Sequence, residues 1–463
     1  MVDISIWSIT ATVWRRSSNV ESARGRSVPV ADSTGAGART VAVVGGGISG
    51  MAAAFALHRA GWQVDLLERE NALGGRFGID SLRGRPMLAG ARHIGLQYTE
   101  FRQFVTALAD VRFEPSPLNM TKVVDGRLAT VAAEDSRGVL RYLAEFGSAQ
   151  DVAKLTYLVH RIATEENRFL GSRFFAKLGA AGDDRPLSEH FGSGLADALL
   201  RPIVTWVHGA ELDEMYLGTL GATLGAALDS FEQIVGGIEP VLTALSELVT
   251  VKKNARVESV AIRRGRVRGL SVAEDGGPAR EHPYDAVVLA TPAAETAELV
   301  AVALPALAAL LATVRYFPAS VTTVEYDRDV FPPGVSTLAM NEGPYNTAAL
   351  YRAPERNIVR YVIAGRAARP LPPEDGSAAA LDAAEKMVQA TFGSVDPTRL
   401  AVVERRWDRG FSGLRAFHGE FLARVGKETS HIGGLALAGD YLRGVSLEAC
   451  YRSGVEAAHR LTA

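Results

Sequence analysis

The stretch from Val41 to Arg76, VAVVGGGISGMAAAFALHRAGWQVDLLERENALGGR, constrains this chain more than any other. Val41 to Val44 are small or β-branched apolar residues, the pattern of a strand buried on both faces. Gly45, Gly47 and Gly50 then fall in G-x-G-x-x-G spacing. The first glycine permits a tight turn, the second lets a pyrophosphate approach the backbone, and the third lets a helix lie close against the strand. The alanine-rich segment from Ile48 to Ala60 predicts that helix, and Gly61 ends it. Its N-terminus offers free N–H groups and a positive dipole end to phosphates. Trp62 to Leu67 predicts a second strand. Glu68 closes it 18 residues after Gly50, near the spacing of about 20 at which a carboxylate meets a ribose hydroxyl. That carboxylate repels a 2′-phosphate, so the unit suits an adenosine dinucleotide other than NADP. The expected fold class is α/β, with a Rossmann-like dinucleotide-binding domain.

A chain of 463 residues is long enough for two domains. A net charge of -2 argues against a protein that grips nucleic acid or an anionic membrane by bulk charge. Cys450 is the only cysteine, so neither an internal disulfide nor a C-x-x-C pair can form. The nine histidines are scattered, without a metal-binding spacing. No apolar run reaches 18 residues, so no integral membrane segment is expected. Residues 1–38 show neither helical nor strand period and no signal-peptide order, and read as a disordered extension of a cytoplasmic protein.

Leu73-Gly74-Gly75-Arg76 follows the ribose acid closely. With GxGxxG and Glu68, it resembles the flavoprotein superfamily of amine oxidases, protoporphyrinogen oxidases and phytoene or squalene desaturases. Two later segments match as well: VKKNARVESVAIRRGRVRGL…YDAVVLATP, residues 251–292, and the terminal LALAGDYLRGVSLEACYRSGVEAAHRL. The resemblance implies non-covalent FAD. It places Gly45, Gly47, Ile48, Ser49, Gly50, Glu68 and Arg69 at the dinucleotide, with Val257 near adenine and Thr291 beside the cofactor. Gly74, Gly75 and Arg76 form a loop against it, and Arg76 can meet a phosphate. Ala91 and Arg92 lie in the segment that passes the flavin ring, and Gly439 and Asp440 meet the pyrophosphate and ribityl chain. The last helix, from Ser446 or Leu447, aims its N-terminus at the flavin pyrimidine, where it stabilises negative charge. No second GxGxxG follows a strand, so electrons leave to oxygen or another acceptor. The glycines of LGTLGATLG (218–225) read as close helix packing.

In this family the FAD domain is discontinuous. Here it is expected over 39–95, 236–300 and 425–463. A substrate domain of mixed sheet plus helices then occupies 96–235 and 301–424. The first insertion reads as mostly helical, with helices over 151–170 and 194–208. The second reads as a helix (305–314) and strands near 321–326, 347–351, 358–363 and 401–407, with a turn at 370–376.

Candidate catalytic residues are His93, Arg92 and Tyr441. His93 is either a base with a pKa near neutrality or a hydrogen-bonded structural histidine. Arg92 faces flavin or a substrate carboxylate. Tyr441 and Arg443 flank the final motif and face either the pocket or the loop. Trp407, Arg409 and His418 lie in RRWDRGFSGLRAFHG, which lines the substrate cavity in the family, though each is also a plausible packing residue. Cys450 reads as core.

Two departures weaken the amine-oxidase reading. Ser446 stands in the slot of the second cage aromatic, and no lysine is a clear partner for the flavin. The expected function is therefore an FAD-dependent oxidoreductase that removes hydride from a C–C or C–N bond of a small, partly apolar biosynthetic substrate. Open alternatives are an amine or amino-acid oxidase releasing hydrogen peroxide, a non-redox flavin-dependent isomerase or cyclase, and a non-enzymatic binding protein. A homodimer is left open.

Overall fold

The structure, a computed structural model, describes residues 39–116, 119–124, 127–132, 145–162, 165–340, 345–352, 354–369, 376–393 and 396–463. The expectations for residues 1–38 and for most of the turn at 370–376 lie outside these residues.

Strand β1 (Thr40–Val44) occupies the middle of a parallel sheet, flanked by β2 (Gln63–Leu67) on one side and, after a long insertion, β4 (Ala286–Leu289) on the other. The outer strands are β3 (Thr250–Lys252) beside β2 and β5 (Leu435–Leu437) beside β4, all parallel. The spatial order is β3-β2-β1-β4-β5. Such a sheet is covered on both faces, which explains the unbroken apolar run of β1. Val41 and Val43 point into one core with helices α1 (Ile48–Arg59) and α2 (Leu447–Thr462). Ala42 and Val44 point into the opposite core, formed with a three-stranded antiparallel sheet and the helices Ala293–Val300 and Pro305–Leu311.

A seven-stranded sheet stands apart from this one. In spatial order its strands are Arg399–Gly413, Arg315–Tyr326, Glu355–Ile363, Thr347–Arg352, Thr337–Ala339, Asn119–Val124 and Arg127–Ala132. The last two correct the helical reading of residues 96–235. They form a hairpin that joins the second insertion through a parallel pairing of Thr121 with Leu338. Its sequence, NMTKVVDGRLATVA, carries β-branched residues around an Asp-Gly pair, a recognised hairpin signal. Two six-residue strands are too short for their period to stand out among helices.

The remaining helices of the first insertion pack as a separate core around Leu187, Leu195, Leu200 and Val204. The helix expected over 194–208 is interrupted. Ser193–Leu195 passes into one widened turn, Ala196–Leu200, before Arg201–His208 resumes. Pro202 has no N–H for the preceding turn, and widening that turn accommodates its ring. In the glycine-rich run, a side chain at Gly221 would lie 2.3 Å from Phe175, so helix contact rather than ligand binding accounts for that glycine. No described helix is long and apolar enough to cross a membrane.

Candidate active site

One cavity of about 2150 Å³ runs from the glycine turn after β1 to the seven-stranded sheet and the helical insertion. Its first part is built by β1, α1 and β2. Gly45 has φ +103°, a conformation that favours glycine, and a side chain there would meet the Ala290 carbonyl oxygen at 2.8 Å. A side chain at Gly50 would lie 1.8 Å from the Gly45 carbonyl oxygen. At Gly47, by contrast, nothing lies within 4 Å. No side chain caps the N-terminus of α1, so its positive end is free to receive an anion. The Glu68 carboxylate organises the turn: the Gly46 N–H donates to it at 2.7 Å and the Glu70 N–H at 2.9 Å. Ile48, Ser49, Arg69, Val257 and Thr291 complete this part of the wall. A walled groove with an open Gly47, an uncapped helix end and a strand-end acid fits an adenosine dinucleotide.

The Gly74-Gly75-Arg76 loop crosses the cavity next. Arg76, expected to meet a phosphate, lines the cavity and also makes a contact within the protein through Nη1. It donates to Asp440 at 2.6 Å and to the Gly410 carbonyl at 3.2 Å, joining this loop to the Gly439-Asp440 turn. Tyr316 donates its hydroxyl to the other oxygen of Asp440 at 3.3 Å. Helix α2 starts at the cavity, capped by Ser446, whose hydroxyl accepts from the Ala449 N–H at 3.1 Å. Ser446 and Leu447 both line the wall.

Past Gly90 the chain enters the segment Ala91-Arg92-His93, which also lines the cavity. Arg92 is buried. It donates to Gln233 at 3.1 Å, to the Leu350 carbonyl at 2.8 Å and to the Tyr351 carbonyl. Arg360 reaches back from the neighbouring strand to the carbonyls of Leu88, Ala89 and Gly90 at 3.3, 2.8 and 2.9 Å. His93 packs its ring edge-on against Trp206 and Phe231, with Nδ1 3.2 Å from the Ser116 hydroxyl. Its pKa is not near neutrality. Burial, and then the charges of Arg92 and Arg360, hold it well below the usual value, so the ring stays uncharged.

Trp407 and Arg409 reach the cavity, and Arg409 pairs with Glu295 at 2.5 Å. Tyr441, His418 and Arg443 do not line it. Tyr441 is fully buried in the core behind β4, and its carbonyl accepts from His418 at 2.9 Å. Arg443 pairs with Glu456 at 2.5 Å and lies over Phe169. The short helix Asp440–Arg443 turns the Tyr441 and Arg443 side chains away from the opening that its first residue faces.

The residues that sequence reasoning missed are Arg360, Tyr351, Trp206, Phe231 and Gln233. Arg360 carries a detectable signal, a single cation inside the buried strand NIVRYVI.

Two further histidines predict the response to pH. Burial lowers His208 to about 3 and His418 to about 4. The unfolded chain then takes up protons below about pH 6.5 that the folded chain refuses, so stability falls as pH drops through that value. Asp183, Asp229 and Glu448 act in the opposite sense nearer the acid end, because burial raises their pKa. Urea unfolding should show a loss of about 2 kcal/mol between pH 7.5 and 5.5, reduced in His208→Gln. A flat profile over that range would contradict the neutral, buried histidines.

A sequence model of the family described as flavin containing amine oxidoreductase matches residues 48–462. Among solved structures, a putative protoporphyrinogen oxidase from Exiguobacterium sp. 255-15 superposes with a TM-score of 0.66 at 18% identity, over 92% of this chain and 99% of that one. Cyclohexylamine oxidase from Brevibacterium oxydans IH-35A gives 0.67 at 18% identity, with coverage of 92% and 99%. A triple mutant of putrescine oxidase gives 0.69 at 17%, with coverage of 91% and 98%.

Proposed function

Because this chain belongs to the flavin-containing amine oxidoreductase family and is an FAD-dependent oxidoreductase, we propose that it removes hydride from a C–C or C–N bond of a small, partly apolar molecule. One observation carries the reading. The cavity continues without a break from the dinucleotide groove into a chamber walled by Leu155, Val159, Ile203 and Trp206. An apolar chamber excludes water and orients a substrate against a cofactor that supplies the hydride chemistry.

In this reading the domain layout is the one expected from sequence, with 39–95, 236–300 and 425–463 holding FAD. Glu68 meets the ribose, and the α1 N-terminus and Gly47 meet the pyrophosphate. The Arg76–Asp440 pair fixes the two turns on either side of the ribityl chain. Ser446 and Leu447 present the start of α2 to the pyrimidine. The uncharged ring of His93 shapes the chamber with Trp206 and Phe231, and its low pKa makes it a weak proton acceptor. The flavin is non-covalent: Cys450, the only cysteine, has its thiol pushed up to about 12 by burial and is a poor nucleophile. Electrons pass to molecular oxygen or another acceptor.

The test is an absorption spectrum of the purified protein, then anaerobic mixing with amines, amino acids and unsaturable C–C substrates. A flavin spectrum that bleaches with one class supports the reading, and acid precipitation should leave the flavin in the supernatant. Protein that binds no added FAD would overturn it.

A further inference from the structure

We propose that the chamber beyond Gly90 admits a carboxylate-bearing substrate and disfavours an ammonium ion, through the paired positive charges of Arg92 and Arg360. This rests on the reading of that chamber as the substrate site. The two side chains are 7% and 4% exposed and both line the cavity. Their guanidinium carbons lie 5.6 and 6.0 Å from the centre of the Tyr351 ring. Their hydrogen bonds go to backbone carbonyls and, for Arg92, to the Gln233 amide. These partners satisfy donors without cancelling charge. Neither arginine has a carboxylate within ion-pair distance among the described residues. The two acids nearby are engaged elsewhere. Glu114 accepts from Nε and Nη2 of Arg352 at 2.5 Å and reaches Arg92 only through the Gln233 amide, which donates to it at 2.7 Å, while Asp80 pairs with Arg405 at 2.7 Å.

A buried cation without a counter-ion is costly, and an anion entering beside it offsets that cost. An ammonium group there adds a third positive charge in a poorly solvated space. His93 contributes no charge of either sign. Of the acids in the adjoining wall, Asp229 is held by the backbone N–H groups of Gln97 and Ser230 at 3.1 and 2.8 Å, and Asp197 pairs with Arg201 at 2.7 Å. The apolar wall opposite suits an aromatic or alkyl body.

The test uses flavin-loaded protein and three ligands of one shape: benzoate, benzamide and benzylammonium. Each is titrated while the flavin absorbance is followed. Benzoate is expected to bind at least tenfold more tightly than benzamide, with benzylammonium weakest. In Arg360→Met the benzoate preference over benzamide should fall about tenfold, and Arg360→Lys should restore most of it. Should the variants fail to fold, the ranking in the unaltered protein decides. Benzylammonium binding as tightly as benzoate, or no binding of any of the three, overturns the proposal. In both cases a normal flavin spectrum shows that FAD binding itself stands.

Discussion

Gly50→Ala is expected to yield protein that is poorly folded and devoid of flavin. The methyl group would sit 1.8 Å from the Gly45 carbonyl oxygen. That oxygen belongs to the turn itself, so no rotamer change relieves the clash. Helix α1 would have to retreat from β1 by more than an ångström. That movement disrupts its packing on α2, where a side chain at Gly454 would already meet the Ser49 carbonyl oxygen at 2.1 Å. Overpacking of this kind costs about 3 kcal/mol. Gly47→Ala is the informative contrast. Its added methyl meets nothing within 4 Å, and its φ of -76° suits any residue. Stability without flavin should change by no more than about 1 kcal/mol, while FAD affinity falls roughly tenfold or more, because the methyl occupies the approach of the pyrophosphate. Thermal unfolding with and without added FAD separates the two. Equal behaviour of the two variants would refute the division of labour between these glycines.

Arg76→Ala is expected to destabilise the protein by about 2–3 kcal/mol and to lower flavin content. Asp440 is 1% exposed, and Arg76 is its ion-pair partner at 2.6 Å. Removing Arg76 leaves a buried carboxylate with only the Tyr316 hydroxyl at 3.3 Å for support among the described side chains. The Arg76 side chain is 35% exposed, so water screens part of the interaction and keeps the figure at the lower end. Arg76→Met combined with Asp440→Asn removes both charges. It should unfold at a higher urea concentration than Arg76→Ala alone. If the double variant is no better, the pair is not what supports the two turns.

The nucleotide groove was largely legible in the sequence, because steric demands act locally there. A strand buried on both faces, a turn that only glycine fits and a helix that starts at it are all properties of neighbours along the chain. The substrate end was less legible. The partners of Arg92 at 350 and 351, and the reciprocal reach of Arg360 to 88–90, depend on the second insertion packing against the segment 88–92. The Arg76–Asp440 pair is not legible in either segment, because the two residues lie 364 positions apart. The choice between the two readings of His93, near-neutral base or structural histidine, is not legible in the sequence, because the depression of its pKa comes from burial and from two arginines, one of them on a distant strand. Tyr441 sits beside a true cavity residue in sequence, Asp440, yet the short helix Asp440–Arg443 turns it into the core.

The dinucleotide fold and the family are written in short-range patterns, because their chemistry needs those residues at that spacing. Which charges are paired, which are left uncompensated and which histidines are neutral emerges from the packing of distant segments. Those outcomes depend on distances across the sheet and on the exclusion of water, and neither is encoded in any one segment.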